Sequence, residues 1–382
     1  MRSAPLALTA AFLLAPAADA QLKAGDQKDS MTASAGDISV NDVVGGLDHP
    51  WGMAFLPDGR LLVTERDAGA LRIVDRDGKL SGQVKGTPYV STFGQGGMLD
   101  VALDPDFASN GYVYLSYAEP GDGGASTALG RGVMQGDSLA GFEVLFSQVP
   151  KMEGPNHFGS RIAFLPDGTL ALTTGERFEF TPAQDLSNQL GTVVRINRDG
   201  SVPADNPFVG QEGARPEIWS YGHRNVQAAA VDPATGNLWV VEMGPLGGDE
   251  LNLIQKGANY GWPVVSWGKN YDGSEIPDPP THPEFTDAVK QWTPVISPNG
   301  MVFYDGSVFP EWQGSAFVGS LSRQALMRLT IMGDQVVGEE QLDLNARIRD
   351  VEVGPDGLLY VLTDADDGHV WRIAPLDYEG DQ

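Results

Sequence analysis

The sequence has no cysteine among its 382 residues, which excludes disulfides, thiolate nucleophiles, cysteine-ligated zinc and iron–sulfur clusters together. Positive charge is scarce too: 25 Lys and Arg stand against 51 Asp and Glu, a formal net charge of −26. A surface that negative repels phosphate backbones and anionic lipid headgroups, so no nucleic-acid partner is expected. Beyond residue 20 no apolar run approaches the ~18 residues of a membrane-spanning helix, so no membrane insertion is expected either. No segment sustains the 3.6-residue apolar period of a long helix, which argues against doubly wound α/β sheets and TIM barrels. Charged residues make up only 20% of the chain against 41% hydrophobic, a balance that favours a packed core over disorder.

What is abundant is turn material, with 48 glycines and 26 prolines. These punctuate a repeat: an apolar run, a Pro-Asp-Gly-like turn, then a second β-rich run. It occurs around Pro57-Asp58-Gly59, Asp104-Pro105-Asp106, Pro166-Asp167-Gly168, Asp232-Pro233, Asp305-Gly306 and Pro355-Asp356-Gly357. Each copy reads as a hairpin in which Pro presets φ and Gly takes a positive φ. Six hairpins spaced by roughly 50–70 residues leave room for two more strands each, which predicts an all-β, six-bladed β-propeller of four-stranded antiparallel blades. A pair of β-sandwiches with recurrent turns is the plainer alternative, but copies of one hairpin over the whole chain favour radial repetition.

Residues 1–20 read as a secretory signal, with Arg2 as the charged start and Ala18-Asp19-Ala20 as the cleavage pattern, so the mature protein is expected to be periplasmic or secreted. Residues 21–40 read as a flexible N-terminal segment, 41–376 as one propeller domain and 377–382 as a C-terminal tail. The loops 203–215 and 269–290 are the long insertions.

Several polar clusters sit just before or after repeat strands. His157, in Pro155-Asn156-His157-Phe158, precedes the third repeat strand, where an imidazole suits a general base; a lone loop histidine would more often be structural. Tyr221-Gly222-His223-Arg224-Asn225 precedes the fourth in the same way, with His223 read as structural. Arg347 and Arg349 alternate, so both project from one side of a β segment and suit a ligand with several carboxylates. Glu242-Met243-Gly244-Pro245 and the stretch from Asp249 to Trp262 join carbonyl-rich turns to carboxylates, as calcium requires, with a helix N-cap at Asp249 as the rival reading.

Taken in order, His157, Gly222-His223-Arg224-Asn225, Gly244-Pro245 with Asp249-Glu250-Leu251-Asn252, Asn259-Tyr260-Gly261-Trp262-Pro263 and Arg347-Ile348-Arg349-Asp350 resemble the soluble pyrroloquinoline quinone (PQQ)-dependent glucose and aldose sugar dehydrogenases. The short loops bring the chain nearer the aldose sugar dehydrogenase branch. The resemblance implies a six-bladed propeller binding PQQ and Ca2+ and oxidising the anomeric hydroxyl of aldose sugars to lactones. It implies His157 as base, Arg224 facing the developing oxyanion, and Gln95 and Asn225 beside the cofactor. Arg347 and Arg349 would hold the cofactor carboxylates. Gly244 and Pro245 would offer carbonyls to the catalytic calcium, and Glu250 and Tyr260 would belong to a second calcium site. Glu176 takes the place of an aspartate near the base. Ser322 stands where the family has a lysine against the cofactor, with Arg323 or Lys269 as candidate substitutes. The electron acceptor is left open, as is the choice between monomer and homodimer. A calcium-dependent lactonase or esterase propeller and a non-catalytic binding propeller remain the alternatives.

Overall fold

The computed structural model describes residues 21–279 and 282–379. The signal expected over residues 1–20 lies outside the described residues. Six antiparallel sheets account for the strands, and each begins with one of the six hairpins. The inner strands are Pro50–Phe55, Met98–Leu103, Gly159–Phe164, Val226–Val231, Pro298–Phe303 and Ile348–Val353. They neighbour one another in that order, and the sixth returns to the first, so the sheets are the blades of a six-bladed propeller. Among the described residues helix is limited to the turn Phe107–Asn110 and two short 3-10 segments. No described helix is long and apolar enough to cross a membrane.

Packing follows from the alternation within the hairpins. Leu62 and Leu71 of blade one meet Val101 and Leu115 of blade two; Tyr114 and Leu129 meet Leu170 and Leu172 of blade three. Apolar side chains thus fill the wedges between blades, and the innermost strands are left to carry polar groups along the axis.

Two blades depart from four strands. Blade one has three, Pro50–Phe55, Leu61–Glu65 and Ala70–Val74. Residues 80–84 take the fourth place irregularly, through Ser81 N–H to the Ile73 carbonyl and Val84 N–H to the Leu71 carbonyl. Blade six has five, because the segment expected to be flexible over 21–40 is ordered. Gly36–Leu47 pairs antiparallel with Gly368–Pro375, and Gln27–Ala33 folds back on it. Its polar residues are the exposed face of an edge hairpin, while Leu22, Ile38 and Val40 are buried. The expected domain boundary at residue 41 therefore falls inside a strand.

A buried hub holds the axis. Arg161, 4% exposed, donates to the Gln227 carbonyl at 2.9 Å and the Arg349 carbonyl at 3.0 Å. It pairs with Asp100 at 3.1 Å and Asp350 at 2.9 Å, and its guanidinium stacks 4.0 Å from the Trp51 ring centre. Asp350 accepts the Met53 N–H in turn. Five of the six inner strands are tied through this one side chain.

Candidate active site

The inner strands begin, and the second strands end, on the same face of the propeller. A cavity of about 280 Å³ opens there, lined by Arg66, Gln95, Gln227, Met243, Arg347 and Arg349 among others, with Trp51 on its wall. In a chain of charge −26, three guanidiniums around one cavity select an anion rich in acceptors.

Arg347 and Arg349 share one carboxylate oxygen, Asp364 Oδ2, each at 2.8 Å. Burial works against ionising that carboxyl, but the two guanidiniums hold it down to about 2. Burial also brings Arg349 down to about 10 against the pull of Asp364, helped by the Arg66 and Arg347 charges. The buried Nε–H groups of Arg349 and Arg224 have no acceptor among the described residues. Buried donors without acceptors beside a cationic cavity fit a polycarboxylate such as PQQ.

His157, 5% exposed, adjoins this cavity through Gln95, a wall residue whose Oε1 accepts its backbone N–H at 2.8 Å. Its Nδ1 lies 2.6 Å from Glu176 Oε1. A carboxylate only accepts, so Nδ1 carries the proton and Nε2 keeps its lone pair. Burial lowers the pKa of His157 despite the Glu176 bond, with the Arg224 and Arg177 charges adding to the effect. The imidazole is therefore neutral at neutral pH. Its backbone is held at φ +57°, and Arg177, Phe178 and Phe180 also have positive φ. Such conformations survive only where surroundings over-determine them. Here Arg177 Nη2 grips the Gly154 carbonyl at 2.7 Å, and the Phe178 ring stands edge-on to the imidazole with centroids 5.1 Å apart. A Cβ at Gly175 would lie 2.1 Å from the His157 carbonyl oxygen, so only glycine lets this loop close on the strand end.

Asn225 Oδ1 receives the Gly159 N–H and the Gln227 amide, beside the cavity. Arg224 reaches across the rim: Nη1 donates to the carbonyls of Met243 at 3.0 Å and Gly244 at 2.8 Å, and Nη2 to the Tyr271 hydroxyl at 2.9 Å. Two carbonyls already aimed at one positive group are the donor type calcium takes; Gly244 supplies one of them as expected, and the other belongs to Met243 rather than Pro245.

Behind them lies a void of about 10 Å³, lined by Glu242, Gly248, Glu250, Tyr260 and Ser266 among others. That is room for a single ion or water. Burial and the Glu242 charge raise the pKa of Glu250 well above the ordinary range, and the nearby Asn252 Oδ1 is buried without a donor. These groups suit a cation. The Tyr260 hydroxyl is committed elsewhere, donating to the Leu253 carbonyl at 2.6 Å, so only its main chain could serve a metal. Asp249 is neither ligand nor helix cap: it lies in the strand Asp249–Leu253 and accepts the N–H groups of Gly244, Ile296 and Ser297. His223 is structural as expected, held between Ser220 and Glu242 and stacked on Tyr260.

Ser322 is not brought to the cavity. It is exposed, and its hydroxyl donates to the Val295 carbonyl; its neighbour Leu321 lines the wall instead. Arg323 turns to Gln341 and Pro294, and Lys269 pairs with Glu275, so neither takes the place proposed for it. The third cation on the cavity wall, Arg66, goes unnoticed in the sequence, as do Trp51, Gln227 and Asp364. Their signal was present. Arg66, Glu176, Met243, Leu321 and Asp364 all follow or end the second strand of a repeat, a position equivalent from blade to blade.

The Glucose / Sorbosone dehydrogenase family profile matches residues 47–372. Aldose sugar dehydrogenase YliI of Escherichia coli (strain K12) is 41% identical over 355 residues, covering 91% of this chain and 95% of that protein. The solved soluble aldose sugar dehydrogenase from Escherichia coli in its apo-form superposes with a TM-score of 0.85 at 42% identity, covering 88% of this chain and 99% of that one. The PQQ-bound aldose sugar dehydrogenase from Streptomyces coelicolor gives a TM-score of 0.72 at 30% identity, covering 90% and 100%. Since the match spans every blade and the residues around the cavity, the chain belongs to the glucose/sorbosone dehydrogenase family.

Proposed function

We propose that this protein is a periplasmic or secreted quinoprotein that oxidises the anomeric hydroxyl of aldose sugars to lactones, with PQQ and Ca2+ as cofactors. The observation that carries the reading is a neutral histidine, oriented by a buried carboxylate and joined through Gln95 to a cavity lined by three guanidiniums. The sugar dehydrogenases among its relatives and the PQQ-bound neighbour support it.

When bound, PQQ supplies an electrophilic carbonyl that accepts hydride, and calcium polarises that carbonyl. Arg347, Arg349, Gln95 and Asn225 orient the cofactor. His157 Nε2 takes the proton of the anomeric hydroxyl as hydride leaves the same carbon. Glu176 holds the ring in that tautomer and stabilises the imidazolium that forms. Arg224 donates to the oxygen on which negative charge develops. Its Nη1 is held by the Met243 and Gly244 carbonyls, which leaves the unpaired Nε–H and the second Nη2 hydrogen as the donors for that oxygen.

Purified apoprotein is expected to reduce an electron-accepting dye with aldoses only after both PQQ and calcium are added, and to lose that activity on exhaustive chelation. Full activity without quinone would sink the reading.

Glu176→Gln tests the base. The carboxylate raises the His157 pKa, so its loss lowers that pKa further and shifts the acid limb of the pH–rate profile to lower pH. Turnover at the plateau is expected to fall at least about tenfold, because a weaker base with an unfixed tautomer replaces a poised one. An unmoved acid limb with unchanged turnover would remove Glu176 from the mechanism.

A further inference from the structure

We propose that Arg66, at the end of the second strand of blade one, is a carboxylate-binding residue for the anionic cofactor. The inference rests on the quinoprotein reading and adds to it a ligand contact from the first blade.

The argument is a comparison of the guanidiniums around the site. Arg349 gives both of its Nη groups away, to Asn299 and Asp364, and Arg347 gives Nε and Nη2 to Asp364, so neither keeps both outer nitrogens free. Arg224 is divided between two carbonyls and Tyr271. Arg66 is different. Its side chain is 13% exposed, and its Nε donates to Asp67 Oδ1 at 2.6 Å. Neither of its Nη groups has a hydrogen-bond partner among the described residues. It lines the cavity, and its charge acts on both Arg349 and Asp364, so the head group lies close to the pair already facing the ligand space.

The local backbone keeps it there. The Arg66 N–H donates to the His49 carbonyl, and the Arg66 carbonyl receives the Gly69 N–H. Gly97, at φ +142°, passes so close that a Cβ would lie 2.1 Å from the Arg66 carbonyl oxygen and 2.8 Å from its Cγ. Any other residue at 97 would displace the Arg66 stem. Asp67 fixes one edge of the guanidinium and leaves the two outer nitrogens as a fork, the geometry that takes a carboxylate with two parallel bonds. A largely buried, pre-oriented fork with no acceptor of its own is a binding group awaiting an anion.

The test is a fluorescence titration of apoprotein with PQQ at fixed calcium, read from the tryptophans, since Trp51 is on the cavity wall. Losing a hydrogen-bonded charge pair predicts that Arg66→Met binds PQQ roughly 10- to 100-fold more weakly, with a shallower dependence on salt. Arg323→Met, which removes a cation bonded outside the cavity, controls for net charge and is expected to bind as wild type does. If Arg66→Met does not fold, judged by circular dichroism, Arg66→Lys carries the same test: charge kept and fork lost should weaken binding several-fold. Wild-type affinity in the folded variant would overturn the role of Arg66 and leave the quinoprotein reading standing. Failure of the folded wild-type protein to bind PQQ would overturn both.

Discussion

His157→Ala should reduce sugar-dependent dye reduction by roughly 10²–10⁴-fold, the usual contribution of a positioned general base, while PQQ still binds with near wild-type affinity. The two halves of that expectation have different causes. Turnover should fall because the proposed reading makes Nε2 the proton acceptor, and Glu176 faces Nδ1 and the Phe180 N–H rather than the cavity. Binding should persist because the groups proposed to hold the anion, Arg66, Arg347 and Arg349, sit on blades one and six, whereas His157 comes from the loop before blade three. Stopped-flow reduction of PQQ-loaded protein by an aldose, with a separate binding titration, distinguishes them. Unchanged reduction would move the base elsewhere, and lost binding would make His157 a ligand contact instead.

Arg161→Leu is expected to cost about 3–5 kcal/mol of unfolding free energy, the range for breaking a buried ion pair by removing one partner. Leucine would leave Asp100 and Asp350 facing each other on the axis with no counter-charge, and would withdraw the donors to the Gln227 and Arg349 carbonyls. Burial, with the Asp100 charge adding to it, already raises Asp350 to about 7 despite Arg161. A carboxyl whose folded pKa lies above its unfolded one adds stability at low pH, and that stability fades as pH rises through the folded value. The variant's deficit should therefore be largest above pH 7 and narrow as the medium is acidified and the orphaned carboxyls protonate. Denaturant unfolding at two pH values measures both effects. Adding Asp100→Asn and Asp350→Asn to Arg161→Leu should recover part of the loss. A single-variant deficit below about 1 kcal/mol would mean that the hub is not an axial clamp.

The repeats were legible because each hairpin combines two independent signals, alternating apolar residues and a turn that only Pro, Asp and Gly make easily. The third copy shows it: the runs before and after Pro166-Asp167-Gly168 lie within Gly159–Phe164 and Thr169–Thr174 but for Leu165. His157, Arg224, Asn225, Arg347 and Arg349 stood out for a related reason, since each is a polar residue just before or within an inner strand, on the face where the cavity opens. The N-terminal strands were not legible. Gln27–Ala33 is polar because it is an outer edge, and its partner Gly36–Leu47 finds its other neighbour at the far end of the chain, which no local pattern encodes. Arg66 was missed because it stands in Glu65-Arg66-Asp67, a run of charges that reads as solvated surface until the fold turns it inward. Ser322 does not face the cavity: in the turn after Ala316–Ser320 its hydroxyl bonds the Val295 carbonyl on the exposed side, while Leu321 lines the wall, a difference that local sequence does not encode.

The sharing of blade six between the two ends of the chain has a consequence for the order in which the molecule can assemble. Asp42 and His369, joined at 2.8 Å, are 327 positions apart in the sequence. During synthesis Gly36–Leu47 emerges early and Gly368–Pro375 last, so the first of these strands waits without its neighbour while five blades take shape. Through that interval Ile38 and Val40 lack their final cover and a row of backbone donors and acceptors stands open, the kind of edge that recruits foreign strands. Contacts between distant positions form slowly, because the entropy of closing the loop must be met before any of them is gained. Ring closure is therefore the step most exposed to misassembly. The polar strand Gln27–Ala33 covers only the other edge of the waiting strand, so the side facing its eventual partner is the one that stays open until the ring closes.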